Sequence, residues 1–492
     1  MSNSNIILPS IIILGLYFGF CLMLGWYSKR RSEGATTREF LTANEGVGWL
    51  VNGVAMFAAF SSGGALLGNM GLGYAHGWGY LVTLNTGTSC SMLLAAFLVA
   101  KPMRNMRLAT VPEFLKIRYD SKLLKILVPC LLILCMTIYM VAQMKITGML
   151  GEEILGVPYI AGIFIVGSIY VFYTAVGGMW AISLTDFFQG TIMMVMLFIA
   201  TAICFQHLNG PVELYQSAQS VSMEWTQIKV PLISFVGGFL VWCCVQPCLP
   251  HTIMRVLSSK NEREGRGAFA IGIGMIALSV VLTAIFITGS SIVLNDAKPL
   301  ANGDAVFITV INTWFPSWIR AFTYCAIFAA VMSSISGMLL SIGAAVSYDL
   351  MRTLKPEMTD KSVRKLSTIS VLVIGLVSMV LAINPPAFVL VLFSSAMGLL
   401  GSGLFWPIIL GIWWKRMNKY GALAGMLGGV TVYAFTYFAL SLPLLSHICF
   451  SLPISLALCV GVSLITPPST GKEMERLTIA HEREYQFAEG EQ

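Results

Sequence analysis

The sequence predicts an all-α integral membrane protein of about thirteen transmembrane helices. Of its 492 residues, 57% are hydrophobic and only 11% are charged, and the mean hydropathy is +0.79. A soluble domain carries roughly a quarter charged residues. Apolar stretches of about 20 residues, enough to cross the hydrocarbon core of a bilayer, recur along the chain. Lipid is therefore the expected solvent for most of it.

The thirteen predicted helices follow from the spacing of these apolar stretches. The first one is long and is followed, not preceded, by the basic run Lys29 to Arg31, which favours a retained helix over a cleaved signal peptide. The predicted helices run approximately over residues 6–27, 48–74, 79–100, 124–150, 158–176, 180–206, 230–254, 267–293, 317–349, 364–383, 386–413, 419–440 and 443–465.

Basic residues support this count, because short cytoplasmic loops collect Lys and Arg. With the N-terminus outside and the C-terminus cytoplasmic, all but four of the 30 basic residues fall in cytoplasmic segments. The exceptions are Lys145, Lys229, Lys298 and Arg320. We therefore attribute the net charge of +7 to the orientation of the chain in a cell membrane and not to nucleic-acid binding. We expect no nucleic-acid partner and no obligate protein partner.

The composition also argues against enzymatic chemistry. The eleven cysteines lie almost entirely within predicted spans and lack metal-type spacing, which is typical of buried free thiols. A GxxxxGK[ST] phosphate-binding loop is absent from the sequence. We therefore expect no catalytic residues, and any pumping must draw on an ion gradient.

The second predicted helix carries a run that weakens helix propensity in mid-membrane. Ser61-Ser62-Gly63-Gly64 follows Ala58-Ala59-Phe60, and a break at this depth would expose backbone carbonyls. A broken helix could bind an ion or a solute through these groups. Small residues also allow close helix packing, so both interpretations stay open at this stage.

The ninth predicted helix carries a second candidate group, Ala330-Val331-Met332-Ser333-Ser334-Ile335-Ser336. Residues three and four apart share a helix face, so the carbonyl of Ala330 and the hydroxyls of Ser333 and Ser334 can converge. Neutral oxygens suit a hard cation such as sodium that must later be released. The alternative is that the hydroxyls bond back to their own helix.

Several motifs give the chain a resemblance to the sodium/solute symporter family. The paired glycines Gly177 and Gly178 are followed by Asp186 and, three residues later, by Gln189. Further likeness lies in Ala330-Val331-Met332-Ser333-Ser334, in Leu249-Pro250-His251-Thr252-Ile253-Met254-Arg255, in Phe405 to Arg416 and in Gly421-Ala422-Leu423. The resemblance extends from the first loop to the thirteenth helix.

The resemblance implies inverted five-helix repeats of the leucine-transporter type. We expect an extra N-terminal helix and loop (1–47), a first repeat (48–206), a second repeat (207–413), two C-terminal helices (414–466) and a cytoplasmic tail (467–492). The first helix of each repeat should be interrupted. Ser61 to Gly64 in the second helix, and Gln246-Pro247 with Pro250 in the seventh, fit this expectation.

By the same resemblance, a sodium ion is the expected cofactor. Its ligands would be the carbonyls of Ala58, Ser61 and Ala330 and the hydroxyls of Ser333 and Ser334.

The resemblance leaves the role of Asp186 open. Together with Ser333 and Ser336 it matches the second sodium site of some members, although Gly337 stands where another hydroxyl is expected. Asp186 could instead act in sodium release, or stabilise the positive end of its helix.

The solute would be bound by Ser62, Gly63, Asn85, Lys145 and Gln246. Lys145 is a rare intramembrane cation and could pair with a substrate carboxylate, but it could equally reach outward or pair with Glu152. Asn85 and Gln246 could orient a solute or be satisfied by a neighbouring helix. Arg255, at a predicted cytoplasmic helix end, is interpreted as an orientation anchor.

The predicted function is sodium-coupled import of a small organic solute by alternating access. The Leu-Pro-His and Trp-Pro segments look most like the pantothenate and monocarboxylate branch, and with Lys145 they favour a carboxylate, an organic anion. Proline, betaine or another zwitterion is the close alternative. A channel or a sensor that retains the fold is a third possibility.

Overall fold

The computed structural model of the protein describes residues 4–31, 36–298, 300, 303–385, 389–469 and 471–481. Across these ranges the chain forms helices, and the only β-type pairing is an isolated parallel bridge between Val47 and Ser259. The predicted start of a helix at residue 386 and the end of the polar tail, 482–492, lie outside the described residues.

Within the described ranges, thirteen apolar helical segments, numbered here α1 to α13, account for the predicted spans. Ten of them are single helices long and apolar enough to cross a membrane. Two more, α2 and α7, each consist of two shorter helices that meet at a bend and are long enough together, and α5 is a shorter apolar helix. They are α1 Ser4–Arg31, α2 Trp49–Phe60 with Gly64–His76, α3 Trp78–Asn105, α4 Lys122–Leu155, α5 Tyr159–Ala175, α6 Gly177–His207, α7 Leu232–Cys248 with Pro250–Leu257, α8 Glu262–Leu294, α9 Ser317–Leu354, α10 Asp360–Leu381, α11 Val389–Trp413, α12 Lys419–Ala439 and α13 Ile448–Ile465. The prediction of a multi-span, all-helical membrane protein is confirmed.

The two helices with predicted breaks are both bent. The halves of α2 meet at 59° and those of α7 at 45°. In α2 the second half begins with a π-helical turn over Gly64–Gly68, and the Ser62 hydroxyl accepts a hydrogen bond from the Ala65 amide at 3.0 Å. In α7 the bend follows Pro247, which cannot donate a backbone hydrogen bond.

The junction between α5 and α6 depends on one glycine. Gly178 has φ +63° and ψ −170°, a region that is essentially restricted to glycine. A Cβ atom at this position would lie 2.4 Å from Cε2 of Phe40. Gly178 therefore permits both the turn of the backbone and the approach of the ring.

Helix α9 forms the centre of the molecule. Its most apolar stretch is entirely buried, and it packs against α1, α4, α6, α10 and the first half of α2. Helices α12 and α13 pack chiefly on each other and on α11 at the periphery. The broken α2 and the serine-rich part of α9 thus meet inside the protein.

We expect Gly178→Ala to destabilise the protein by about 1–3 kcal/mol from the backbone alone, and by more because of the clash with Phe40. A lowered Tm of the detergent-purified protein would show this. Gly274→Ala in α8 is the matched control, since no atom lies within 4 Å of its Cβ position. Equal Tm values for the two variants would contradict the role assigned to Gly178.

Candidate sodium and solute site

The interface between the break in α2 and the centre of α9 is closed by hydroxyl to carbonyl hydrogen bonds. The Ser333 hydroxyl donates to the Ala58 carbonyl and the Ser334 hydroxyl to the Ala59 carbonyl, each at 2.8 Å. The same hydroxyl oxygens lie 3.1 and 3.2 Å from the Ala330 carbonyl oxygen. Four of the five predicted sodium ligands, Ala58, Ala330, Ser333 and Ser334, are therefore linked by direct contacts, and the Ala59 carbonyl, which was not predicted, lies beside them.

The break explains why these carbonyls are available. The last four carbonyls of a helix have no partner within it, and the first half of α2 ends at Phe60. The Phe57 carbonyl accepts from the Ser61 amide at 2.8 Å and the Phe60 carbonyl from the Ser62 amide at 2.7 Å. The carbonyls between them are those that the α9 serines reach.

Ser61, the fifth predicted ligand, is the first residue after the first half of α2, with φ −75° and ψ +57°. It lies beside the other ligands in sequence and lines a neighbouring cleft. The described residues contain no group of three or more His, Cys, Asp or Glu side chains placed to hold a metal ion. A cation at this interface would accordingly be held by neutral oxygens.

Asp186 forms a buried ion pair between α6 and α7. Its Oδ2 accepts a hydrogen bond from Nη2 of Arg255, and the two side chains are 0% and 1% exposed. Asp186 lies beyond the first turn of α6, so it does not stabilise the positive end of that helix, an effect confined to the first turn. The orientation anchor inferred for Arg255 is replaced by a role inside the protein.

Helix α9 completes this ion pair. The Ser336 hydroxyl donates to the Ser333 carbonyl at 2.9 Å and lies 3.5 Å from Oδ1 of Asp186. A Cβ atom on Gly337 would be only 3.7 Å from Nη2 of Arg255. Gly337 therefore lies in van der Waals range of the guanidinium group, which supplies the positive charge facing Asp186.

A narrow cleft adjoins the break in α2. Its volume is about 20 Å³, enough for about one water molecule. The predicted solute residue Asn85 lines it, although its Nδ2 donates to the Leu81 carbonyl of its own helix at 2.8 Å. Polar lining residues from α2, α3 and α8 are Ser61, Asn69, Asn85, Ser279 and Thr283.

Gln246 lies at the break in α7 and is fully buried. Its Oε1 accepts a hydrogen bond from the Thr252 hydroxyl across the bend at 2.8 Å, and its backbone amide donates to Oγ of Ser91 in α3 at 2.9 Å. Its Nε2 has no hydrogen-bond partner among the described residues. One amide group thus remains available for a ligand.

Ser62 and Gly63, the remaining predicted solute residues in α2, are both buried. Gly63 packs so closely on α9 that a Cβ atom would lie 2.3 Å from Cγ2 of Val331. The structure therefore shows both features that were considered for the Ser61 to Gly64 run: the helix is broken there, and its small residues allow close packing on α9. Lys145 in α4 is only partly buried.

A chain of aromatic rings links four helices beside the break. Phe60 of α2 meets Trp242 of α7 edge to face, with centroids 6.0 Å apart, and Trp242 contacts Phe393 of α11 at 5.1 Å. Phe393 stacks on Tyr139 of α4 at 5.3 Å. Phe60 is therefore held beside the break by ring contacts that extend to α7, α11 and α4.

Sequence reasoning missed these aromatic contacts and the burial of Arg255. The available signal for Arg255 was its position five residues after Pro250, the last of the breakers in α7. An intramembrane aspartate that requires a counter-charge was a second signal. The aromatic contacts join residues from four separate helices, and no spacing rule connects them.

Two interrupted helices that meet in mid-membrane are an architecture that ion-coupled transporters use. Known structures support the fold. A Na+-coupled sialic acid symporter matches with a TM-score of 0.78 and 18% identity, covering 94% of this chain and 99% of its own. The nucleobase-cation-symport-1 transporter Mhp1 matches with a TM-score of 0.55 and 13% identity, covering 89% and 97%. The arrangement is the inverted-repeat fold of the leucine-transporter type.

The chain belongs to the sodium:solute symporter family, whose sequence profile matches residues 40–429. The osmoregulated proline transporter OpuE of Bacillus subtilis (strain 168) is 31% identical, covering 85% of this chain and 87% of that protein. The sodium/proline symporter of Staphylococcus aureus (strain JH9) is 27% identical, covering 86% and 84%. The chain is thus a multi-pass membrane transporter and not an enzyme.

These relatives correct one expectation. They are proline transporters, so the expected placement in the pantothenate and monocarboxylate branch is not supported, and neither is an organic anion as solute. The Leu-Pro-His and Trp-Pro segments belong to the helices that build the scaffold, and they carry little information about the solute.

We expect Arg255→Met to destabilise the protein by about 3–5 kcal/mol, because it leaves the Asp186 carboxylate buried without a counter-charge. The double variant Asp186→Asn, Arg255→Met should recover most of this loss. Thermal unfolding of the purified variants measures the difference. Additive losses in the double variant would show that the two groups do not act as a pair.

Proposed function

We propose that this protein is a sodium-coupled symporter that imports proline, or a closely similar small zwitterion, by alternating access. The observation that carries the proposal is the contact of the α9 serine hydroxyls with the α2 carbonyls released by the helix break. The proline-transporting relatives supply the solute class.

Sodium binding would replace these hydrogen bonds rather than add to them. A hydroxyl that donates to a carbonyl can turn its proton away and present a lone pair to a cation. The ion would then join the Ala58, Ser61 and Ala330 carbonyls to the hydroxyls of Ser333 and Ser334. Since it binds only where α2 and α9 are close together, it favours that conformation over one in which they have separated.

The broken helices also suit a zwitterion. Half-helix N-termini carry partial positive charge and attract a carboxylate, while a neutral polar cavity can accept an ammonium group without a buried fixed charge. Ser62, Gly63, Asn85 and Gln246 lie at or beside the two breaks. The cleft is too small for proline as it stands, so loading requires α2 and its neighbours to move apart.

The buried ion pair bears on the number of sodium ions. Because Arg255 already neutralises Asp186, a second sodium at that carboxylate would have to displace the guanidinium group. We therefore propose one sodium ion per solute, with Asp186 and Arg255 linking α6 to α7. With the N-terminus outside and the C-terminus cytoplasmic, the ion and the solute would be released inward.

Uptake into proteoliposomes tests this function. We expect labelled proline to accumulate only with an inward sodium gradient, and its initial rate to rise hyperbolically with sodium concentration. The Ser333→Ala, Ser334→Ala double variant should lose most of this uptake, since two sodium ligands are removed.

Ser347→Ala is the matched control, because this buried α9 serine donates to the Gly343 carbonyl of its own helix. Its uptake should resemble that of the wild type. Sodium-independent uptake, or full activity in the Ser333, Ser334 double variant, would refute the mechanism. Sodium flux without solute accumulation would indicate a channel.

Lys145→Met separates the zwitterion from the anion hypothesis. Lys145 is two residues from the buried Gln143, and residues two apart in a helix do not share a face. Oε1 of Gln143 lies 3.3 Å from the Cβ position of Gly63 beside the α2 break, so Lys145 points elsewhere. We expect the KM for proline to change less than about twofold, well under the factor of ten that 1.4 kcal/mol represents. A tenfold rise in KM would restore Lys145 as a solute ligand.

A further inference from the structure

Gln143 in α4 is a buried amide that the site described above does not use. Its side chain is 0% exposed, and neither Nε2 nor Oε1 has a hydrogen-bond partner among the described residues. Buried side-chain amides are nearly always hydrogen-bonded, because desolvation without a partner costs free energy. A group left with both donor and acceptor unpaired is therefore a candidate ligand-binding group.

The amide points at the break in α2. Its Oε1 lies 3.3 Å from the Cβ position of Gly63, and Ile146 Cδ1 is equally close. Cγ2 of Val331 in α9 lies 2.3 Å from the same Cβ position. The chain leaves the helical conformation at Ser61, and Gly63 directly precedes the second half of α2, which begins at Gly64. Gln143 therefore lies beside the N-terminal end of this second half-helix.

Asn85, Gln246 and the α9 serines each make at least one side-chain hydrogen bond, although Nε2 of Gln246 has no partner among the described residues. Asn85 donates to its own helix, Gln246 accepts from Thr252, and the Ser333 and Ser334 hydroxyls belong to the α9 contact with α2. Of the two fully buried glutamines beside the helix breaks, Gln143 keeps both a donor and an acceptor unpaired in the described part of the chain, whereas Gln246 keeps only its Nε2 donor unpaired.

We propose that Gln143 binds the solute directly and selects a zwitterion over an anion or a cation. The Nε2 amide would donate to the carboxylate and Oε1 would accept from the ammonium group. A neutral amide can serve both charges at once, whereas lysine or arginine in its place would favour an anion and glutamate a cation. This inference rests on the proposed function, since Gln143 would be the residue that recognises the solute proposed there.

Gly63 supports the proposal through its lack of a side chain. Any Cβ atom there would meet Val331 and approach the Gln143 oxygen, narrowing the space between the amide and the half-helix end. The solute carboxylate could then be shared between the Gln143 amide and the backbone at the start of the second half-helix, where partial positive charge is concentrated.

The experiment measures competition with labelled proline on purified, reconstituted protein. The competitors are unlabelled proline, pyrrolidine, which has only the amine, and cyclopentanecarboxylate, which has only the acid. For the wild type we expect proline to compete at least about tenfold better than either, because two charge-assisted hydrogen bonds are each worth more than a neutral one. Equal competition by either half-analogue would overturn the proposal without any variant.

Two variants locate the selectivity at Gln143. Gln143→Met keeps the volume and should raise the KM for proline about tenfold or more while leaving sodium activation unchanged. Gln143→Glu keeps an acceptor and adds a negative charge, so pyrrolidine should gain relative to proline. Thr137→Val in the same helix is the control, because the Thr137 hydroxyl is satisfied by the Ile133 carbonyl.

The Tm without solute distinguishes a binding role from a structural one. Gln143→Met removes an unpaired buried amide, so its Tm should equal or exceed that of the wild type, whereas loss of a structural contact would lower it. An unchanged KM in this variant, with sodium-driven proline uptake by the wild type, would overturn the role of Gln143 alone. Absence of sodium-driven uptake by the wild type would overturn the proposed function itself.

Discussion

In a bilayer every backbone carbonyl must find a partner within the protein, and the break in α2 leaves carbonyls without one. The hydroxyls of Ser333 and Ser334 satisfy two of them at 2.8 Å, which requires α9 to lie against α2 at the centre of the molecule. Gly63, pressed against Val331, makes this approach possible. The contact between α2 and α9 is therefore also the place proposed for the sodium ion, and the same few oxygens would serve both the packing and the proposed transport.

The ion pair of Asp186 and Arg255 extends this arrangement to α6 and α7. Removing a carboxylate and a guanidinium from water is costly unless they pair closely, so their burial fixes the two helices relative to each other. Ser336 connects the pair to the turn of α9 that carries Ser333. The contact between α2 and α9 therefore lies next to the ion pair that joins α6 to α7. This arrangement offers a physical route by which ion binding could influence the conformation.

The class of solute was the weakest part of the sequence interpretation. An intramembrane lysine suggested an organic anion, yet the relatives transport proline, and Lys145 lies away from the helix face that Gln143 turns toward the break. Motifs shared across a family reflect the helix geometry that all members need. The side chains that face the solute are few and scattered, so a likeness in the scaffold transfers to the solute poorly.

The sequence by itself determined the membrane class, the spans, the two breaks and the convergence of Ala330, Ser333 and Ser334, because hydropathy and helical spacing act over short stretches of chain. It also marked Gly178, although not the contact with Phe40. Only the tertiary structure decided that Arg255 pairs with Asp186, that Phe60 packs on Trp242, and that Gln143 faces Gly63. Each of these depends on helices that are distant in sequence, and no local pattern encodes which of their faces meet.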